Sequence, residues 1–289
     1  MIIDAHYHLD ERMEPIPVLI EKMDRHGIEK TALIAAVVDP FKVDPVAEFL
    51  SGLIRKLLMG PLWPLGRLGY DSTVTGKGRF KILAKTYPIY PAPDNPAVAA
   101  AIKACPDRFY GWIFVNPSVH DPLAEIEKTD QGAAWVGVKA HPFWHRYGVD
   151  KLQTVAAYCV EKRWPLLIHL GAKSGAGDFR YLPDRFPDLK IIYAHAGVPF
   201  YRKLWEDIRD RKNVWIDLSS PYLNEQVRRE AVKALGPVKC LFGSDGPFGY
   251  EDQDGGYDHG AILREIDRLP LSRRDKDRIL AGNFFEIIS

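Results

Sequence analysis

The sequence is short of cysteine, of unbroken apolar stretches and of surplus charge, and each shortage removes a class of protein. Its three cysteines, Cys105, Cys159 and Cys240, are odd in number and form no C-x-x-C pair. A disulfide framework is therefore excluded, and the three read as reduced packing residues. The longest apolar run, Ala32 to Val38, is far too short to span a bilayer. With 39 basic against 38 acidic side chains the formal charge is +1. Such a balance gives no general pull toward nucleic acid or an anionic membrane. The N-terminus carries Asp4, Asp10, Glu11 and Glu14 where a secretion signal would need basic and then apolar residues, so a cytoplasmic location is expected. What remains is ordinary for a globular protein: 289 residues, 46% hydrophobic and 27% charged, enough for one large core.

The most informative stretch is the first ten residues, Met-Ile-Ile-Asp-Ala-His-Tyr-His-Leu-Asp. Ile2 to His6 reads as a buried strand with a polar tip. Residues two apart on a strand face the same way, so His6 and His8 project into one space. Converging imidazoles are a start on a divalent metal site, although His-x-His pairs also arise by chance. Downstream, amphipathic helical stretches alternate with short aliphatic runs such as Thr31–Val38, Phe109–Val115, Trp135–Ala140, Pro165–His169 and Val238–Gly243. Strands apolar on both faces belong to a parallel sheet covered by helices. Eight such units predict a single (β/α)8 barrel domain, an α/β TIM barrel spanning 1–289.

One region breaks the rhythm. Residues 40–93 hold seven prolines, and within them Glu48 to Met59 places Phe49, Leu50, Leu53, Ile54, Leu57 and Leu58 on one helical stripe. Following the second strand, this insertion should rise from the C-terminal face of the barrel, where active sites are built. From Ser51 to Thr86 seven basic side chains face Asp71 alone, a local charge of +6. Two readings stand: a cover that attracts anionic substrates, or a solvated basic face over a contact with a second copy of the chain.

Polar residues end most of the expected strands: His6 and His8, Lys139 and His141, His169, His195 and Asp245. All strand C-termini of a parallel barrel meet at one mouth, so these groups converge although far apart in sequence. Scattered histidines are often core or cap residues; five strand tips ending in chemistry are hard to explain as packing. The adjoining loop Ala-His141-Pro-Phe143-Trp144-His145-Arg146-Tyr147 supplies rings that could wall a flat substrate and a guanidinium that could grip a carboxylate. Asp4 and Asp217 are given at most an orienting role. His26 and His120 receive none, and His259 is left unassigned.

The segments Asp-Ala-His6-Tyr-His8, Gly-Val-Lys139-Ala-His-Pro, Leu-Ile-His169, Ala-His195-Ala-Gly and Phe-Gly-Ser-Asp245-Gly-Pro, with the tail Ile-Leu-Ala-Gly-Asn283-Phe-Phe-Glu-Ile, resemble the amidohydrolase superfamily in its amidohydrolase-related, decarboxylase-like branch. The resemblance implies a single divalent ion, commonly zinc with manganese as the alternative, held by His6, His8, His169 and Asp245. It implies that His195 touches the substrate or the attacking water. The chemistry agrees: three imidazoles and a carboxylate leave an open catalytic position, Asp245 can serve as general base, and His195 can donate to an oxygen that gains charge. Binuclear members carry a carbamylated lysine at the Lys139 position; the unmodified lysine and one metal are expected here. A related deoxyribonuclease branch carries glutamate at that strand, and Lys139 argues against it.

The leading expectation is a metal-dependent hydrolase acting on a small carboxylated lactone, ester or amide. Asp245 and His195 would be catalytic, and Lys139, His141, Trp144 and Arg146 would bind substrate. The alternative is a non-oxidative decarboxylase, or another lyase of an aromatic or unsaturated acid, using the same site. A barrel that binds metal without catalysis is a third possibility, disfavoured because every ligand position is filled. Expected partners are an anionic small molecule and, under the second reading of the insertion, another copy of the chain.

Overall fold

The computed structural model describes residues 1–41, 45–132 and 134–289; positions 42–44, inside the expected insertion, and 133 lie outside the described residues. The chain runs β1 (Ile3–Leu9), α1 (Ile16–His26), β2 (Lys30–Ala35), α2 (Pro45–Met59), α3 (Trp63–Asp71), β3 (Arg79–Ile82), β4 (Lys85–Pro88), α4 (Asn95–Ala104) and β5 (Phe109–Val115). It continues through α5 (Pro122–Thr129), β6 (Trp135–Ala140), α6 (Pro142–His145), α7 (Gln153–Lys162), β7 (Leu166–Ile168), α8 (Tyr181–Arg185), β8 (Ile191–Tyr193) and α9 (Tyr201–Ile208). Then come β9 (Val214–Asp217), α10 (Glu225–Leu235), β10 (Cys240–Leu241), α11 (Ala261–Asp267), α12 (Arg273–Asp277) and α13 (Asn283–Ile288).

Eight strands form one parallel sheet in the order β1-β2-β5-β6-β7-β8-β9-β10. The sheet closes on itself through the segment after β10. Ala5 N–H donates to the Phe242 carbonyl at 3.1 Å, Asp245 N–H to the His6 carbonyl at 2.7 Å and His8 N–H to the Gly246 carbonyl at 2.7 Å. This is the expected (β/α)8 barrel. Closure brings the backbones so near that a Cβ on Gly243 would stand 2.9 Å from the His6 Cβ, which explains glycine at that rung.

Local signals set the helices. In α1, Leu19 and Met23 lie one turn apart on the buried face, and Gly27 stops the helix in the left-handed region at φ 67°. Asp94, Asp121 and Asn224 cap α4, α5 and α10, each side chain accepting a backbone N–H of the first turn. Trp112, Ile113, Leu167, Ile192 and Ile216 on the two faces of the sheet are all essentially inaccessible to solvent, as expected of a sheet covered on both sides, and the Trp112 indole N–H is satisfied by the Ala5 carbonyl at 3.0 Å.

The insertion is structured. It comprises the helices α2 and α3 and the antiparallel hairpin β3–β4. The apolar stripe expected of α2 splits into two: Leu58 is buried and Ile54 and Leu57 face inward, whereas Phe49, Leu50 and Leu53 stand exposed. Arg55 ties this cap to the barrel, donating to the carbonyls of Tyr222 at 2.8 Å and Pro221 at 2.7 Å in the loop after β9. Among the described residues no helix is long and apolar enough to cross a membrane.

Candidate metal centre at the barrel mouth

The C-terminal ends of the strands bring the expected side chains together. His6 Nε2 and His8 Nε2, both from β1, each lie 3.3 Å from Asp245 Oδ1. His195, just past β8, places Nε2 at 3.9 Å from Asp245 Oδ2 and 3.1 Å from Nδ1 of His169, which follows β7. Lys139, near the end of β6, sets Nζ 3.3 Å from His6 Nε2. His195 and Asp245 adopt φ of 53° and 60°, left-handed conformations that cost non-glycine residues about 1–3 kcal/mol each and cluster at functional sites.

A single buried carboxylate organises this array. Asp217, the last residue of β9, accepts at Oδ2 from His6 Nδ1 at 2.9 Å. Its Oδ1 accepts from the backbone N–H of His195 at 2.9 Å and from the Ser219 hydroxyl at 2.5 Å. Ser219 Oγ in turn meets His195 Nδ1 at 2.8 Å. The network assigns the protons of His6 and His195 to Nδ1, leaving each Nε2 lone pair facing the mouth. Asp4 performs a parallel task at the closing seam, accepting from the backbone N–H groups of His6 and Ser244.

Burial decides the charge states. It pushes His6 down to about 3, with nearby Lys139 adding to the effect, and drives His169 well below the usual imidazole value. His195 is lowered by the same cause. Lys139 falls to about 8 through burial. Burial alone would raise Asp245, yet the adjoining His195, His8 and His6 hold its carboxyl well below the usual carboxylate range. Neutral imidazoles beside an ionised carboxylate are the donors a divalent cation takes. Three donor atoms, one each from His6, His195 and Asp245, lie within 4.8 Å of one another, so this set fits such an ion.

The amidohydrolase family model matches residues 67–283, about three quarters of the sequence. The chain belongs to the amidohydrolase family. No curated protein matches this amidohydrolase in sequence. Among solved structures it is similar to 4-oxalomesaconate hydratase from Rhodopseudomonas palustris, at 17% identity and a TM-score of 0.65, covering 100% of this chain and 95% of that one. A probable 2-pyrone-4,6-dicarboxylic acid hydrolase from Acinetobacter baumannii, with citric acid bound, follows at 16% identity and 0.59, covering 99% and 98%. A dihydroxybenzoic acid decarboxylase from Polaromonas sp. JS666, with manganese and an inhibitor bound, matches at 15% identity and 0.54, covering 99% and 96%. At these identities the likeness shows a shared fold.

Within the amidohydrolase barrel, each expected residue has a definite place. His6, His8, Lys139, His169, His195 and Asp245 share the mouth, and His195, expected to act on substrate, sits inside the donor cluster itself. His141 stacks on His169 with ring centres 4.0 Å apart and accepts the Trp144 backbone N–H at 3.1 Å, making it a cap of α6 as well as a wall of the site. Trp144 stacks on His141, and its indole N–H is buried without a partner among the described residues. Arg146 departs from expectation. Its guanidinium is engaged by Asp71 at 2.9 Å and by the Val74 carbonyl, so it clamps the insertion where a free carboxylate grip was expected. His145 accordingly points elsewhere, toward the Tyr90 carbonyl at 3.2 Å.

One residue has a larger role than the sequence suggested, and one has a role the sequence did not suggest. Asp217 is the hub of the array. Tyr70, from α3 of the insertion, is buried and reaches His169 Nε2 with its hydroxyl at 2.6 Å. Its ring lies on Phe143 with centres 4.3 Å apart and meets Tyr222 edge-on at 5.8 Å. Tyr70 therefore closes the mouth from above. The end of the apolar run Val-Trp-Ile marks Asp217 as an orienting group, though not as the hub; nothing local marks Tyr70.

Proposed function

We propose that this amidohydrolase is a metal-dependent hydrolase of a small carboxylated lactone, ester or amide. The observation that carries this reading is Asp245, an ionised carboxylate 3.3 Å from His6 and His8 and 3.9 Å from His195. His6, His8, His169 and Asp245 would hold the ion, with His195 Nε2 facing the same space. A divalent ion bound there would polarise a substrate oxygen and lower the pKa of water to about 7.

The chain's own groups do the rest. Asp245, kept ionised, accepts the proton of the attacking water and passes it on to the leaving group. His195 has its ring held by Ser219, which Asp217 fixes in turn, and its Nε2 lone pair faces the mouth, so it would accept a proton from substrate or water there where donation was expected. Asp217 holds the His6 tautomer. Lys139 places a cation beside the donors for an acidic substrate, and the unpaired Trp144 indole N–H offers a substrate oxygen a donor. The buried mouth keeps bulk water out, which strengthens each of these interactions.

A second reading, decarboxylation of a flat aromatic or unsaturated acid, is favoured by the rings of Tyr70, Phe143 and Tyr222 beside His169. Turnover in oxygen-18 water separates the two. Protein loaded with zinc or manganese is presented with lactones, esters, amides and aromatic acids. Label entering the product acid supports hydrolysis; carbon dioxide release without label establishes the second reading. A metal-loaded protein inert to the whole panel defeats both.

A further inference from the structure

Seven of the thirteen exposed large hydrophobic side chains among the described residues, Val46 to Leu68, lie on α2, on α3 or immediately before α3. The helices α2 and α3 run antiparallel: Gly66 packs against Leu57 and Leu58, while Gly69, further along α3, packs against Ile54, further back along α2. A Cβ on Gly66 would meet the Leu58 backbone nitrogen at 2.6 Å, so the two helices are in close contact. Each helix keeps a second apolar stripe roughly a quarter-turn from that contact. Val46, Phe49 and Leu53 form it on α2; Leu65 and Leu68 on α3, with Leu62 immediately before that helix, form the other. Antiparallel pairing turns both stripes to the same side, giving one continuous face. Phe49 is 73% exposed and Leu68 65%, values that the barrel's own packing does not account for.

We propose that this face is the contact between two copies of the chain. Its six side chains expose on the order of 600 Å², which with a polar rim approaches the ~800 Å² each partner contributes to a standard interface. A monomer rarely leaves so large a connected apolar patch in water. Two identical two-helix faces related by a two-fold axis bury each other as a four-helix layer and close the assembly. The charge pattern points the same way. A lipid-binding helix pair needs several free cations toward the headgroups. Here Arg55 is committed to backbone carbonyls and Arg67 lies over the Trp63 ring, leaving Lys56 as the one exposed cation of the two helices. The same hairpin carries Tyr70 into the mouth, so pairing at this face also holds the cap down over the donor cluster.

Sedimentation velocity of the full-length protein across micromolar concentrations, with and without Phe49→Glu plus Leu68→Glu, tests the proposal. The wild-type chain is expected at twice its monomer mass and the double variant at the monomer mass, with unchanged far-ultraviolet circular dichroism. If the double variant fails to fold, Leu65→Lys alone is expected to weaken the dimer by at least ~10-fold, since it buries an unpaired charge. A wild-type monomer at every concentration overturns the proposal, as does a dimer that persists in a folded variant. Monomers that co-sediment with phosphatidylserine vesicles also overturn it and assign the face to lipid.

Discussion

Asp217→Asn is the sharpest probe of the centre, because one buried carboxylate receives donors from three residues. Asparagine keeps the size and one acceptor. If its oxygen stays with the His195 backbone N–H and Ser219, its NH2 group faces His6 Nδ1, donor against donor. The imidazole relieves this by moving its proton to Nε2, where Asp245 Oδ1 at 3.3 Å can accept it. The lone pair that should meet a cation is then spent. Loss of such an outer partner costs about 10–100-fold in metal affinity, or ~1.4–2.8 kcal/mol. Competition with a chromophoric chelator for zinc or manganese measures it, and nitrogen-15 chemical shifts of His6 report the tautomer directly. A folded Asp217→Asn protein that binds metal within threefold of wild type, with the His6 proton still on Nδ1, refutes the reasoning.

Tyr70→Phe removes one hydrogen bond of about 1 kcal/mol while leaving the ring on Phe143. Calorimetry of the chelator-treated protein should show the melting temperature falling by about 2 °C, and an unchanged value would mean that the contact with His169 contributes nothing. Arg146→Ala should free the cap, at a cost of about 1–2 kcal/mol for a half-buried pair plus a carbonyl bond; limited proteolysis should then cut between residues 72 and 93 faster, with the barrel intact. Glu14 bridges β1, α1 and the loop before α11, accepting from Tyr7 and His259 at 2.7 Å and pairing with Lys22 at 3.2 Å. Burial acts to raise its pKa, but these partners outweigh it and hold the carboxyl below the ordinary value of 4.5. Its stabilisation is therefore complete above that value and lost as pH falls through the lower folded one. Urea midpoints of wild type and Glu14→Gln should differ by about 1.5–3 kcal/mol near neutrality and converge in acid; a gap that does not depend on pH contradicts this.

The barrel was legible because the strands are short aliphatic runs, most of them ended by a polar residue, a pattern that depends only on neighbours along the chain. Leu166–Ile168 is three residues long, yet Pro before it and His169 after it mark both ends. The insertion was legible as an interruption, and its α2 as a helix, but not in how it sits. Phe49, Leu50 and Leu53 carry the same apolar signal as Ile54, Leu57 and Leu58, and periodicity cannot say which face meets the barrel and which is left outside. Arg146 misled for a related reason. A cation in a mouth loop suggests an anionic ligand, whereas its partner Asp71 lies 75 positions away in a different element.

The residues whose roles the sequence understated or did not show share a physical character. His6, His169 and Asp245 are recognisable because their chemistry is their own, whereas Asp217 and Tyr70 act by fixing what another side chain can do. Such roles exist only where distant segments meet, as Tyr70 meets His169 across 99 positions. The backbone adds to this. His195 and Asp245 hold left-handed conformations, and each is pinned by a backbone N–H bond to a neighbouring strand end, Asp217 Oδ1 at 2.9 Å and the His6 carbonyl at 2.7 Å. The strain at those two positions is thus offset by bonds from neighbouring strand ends, and the one at Asp245 exists only because the barrel closes. The meeting of Asp245 with His6 and His8 is consequently a property of closure, with Gly243 and the β1 seam as much its makers as the histidines themselves.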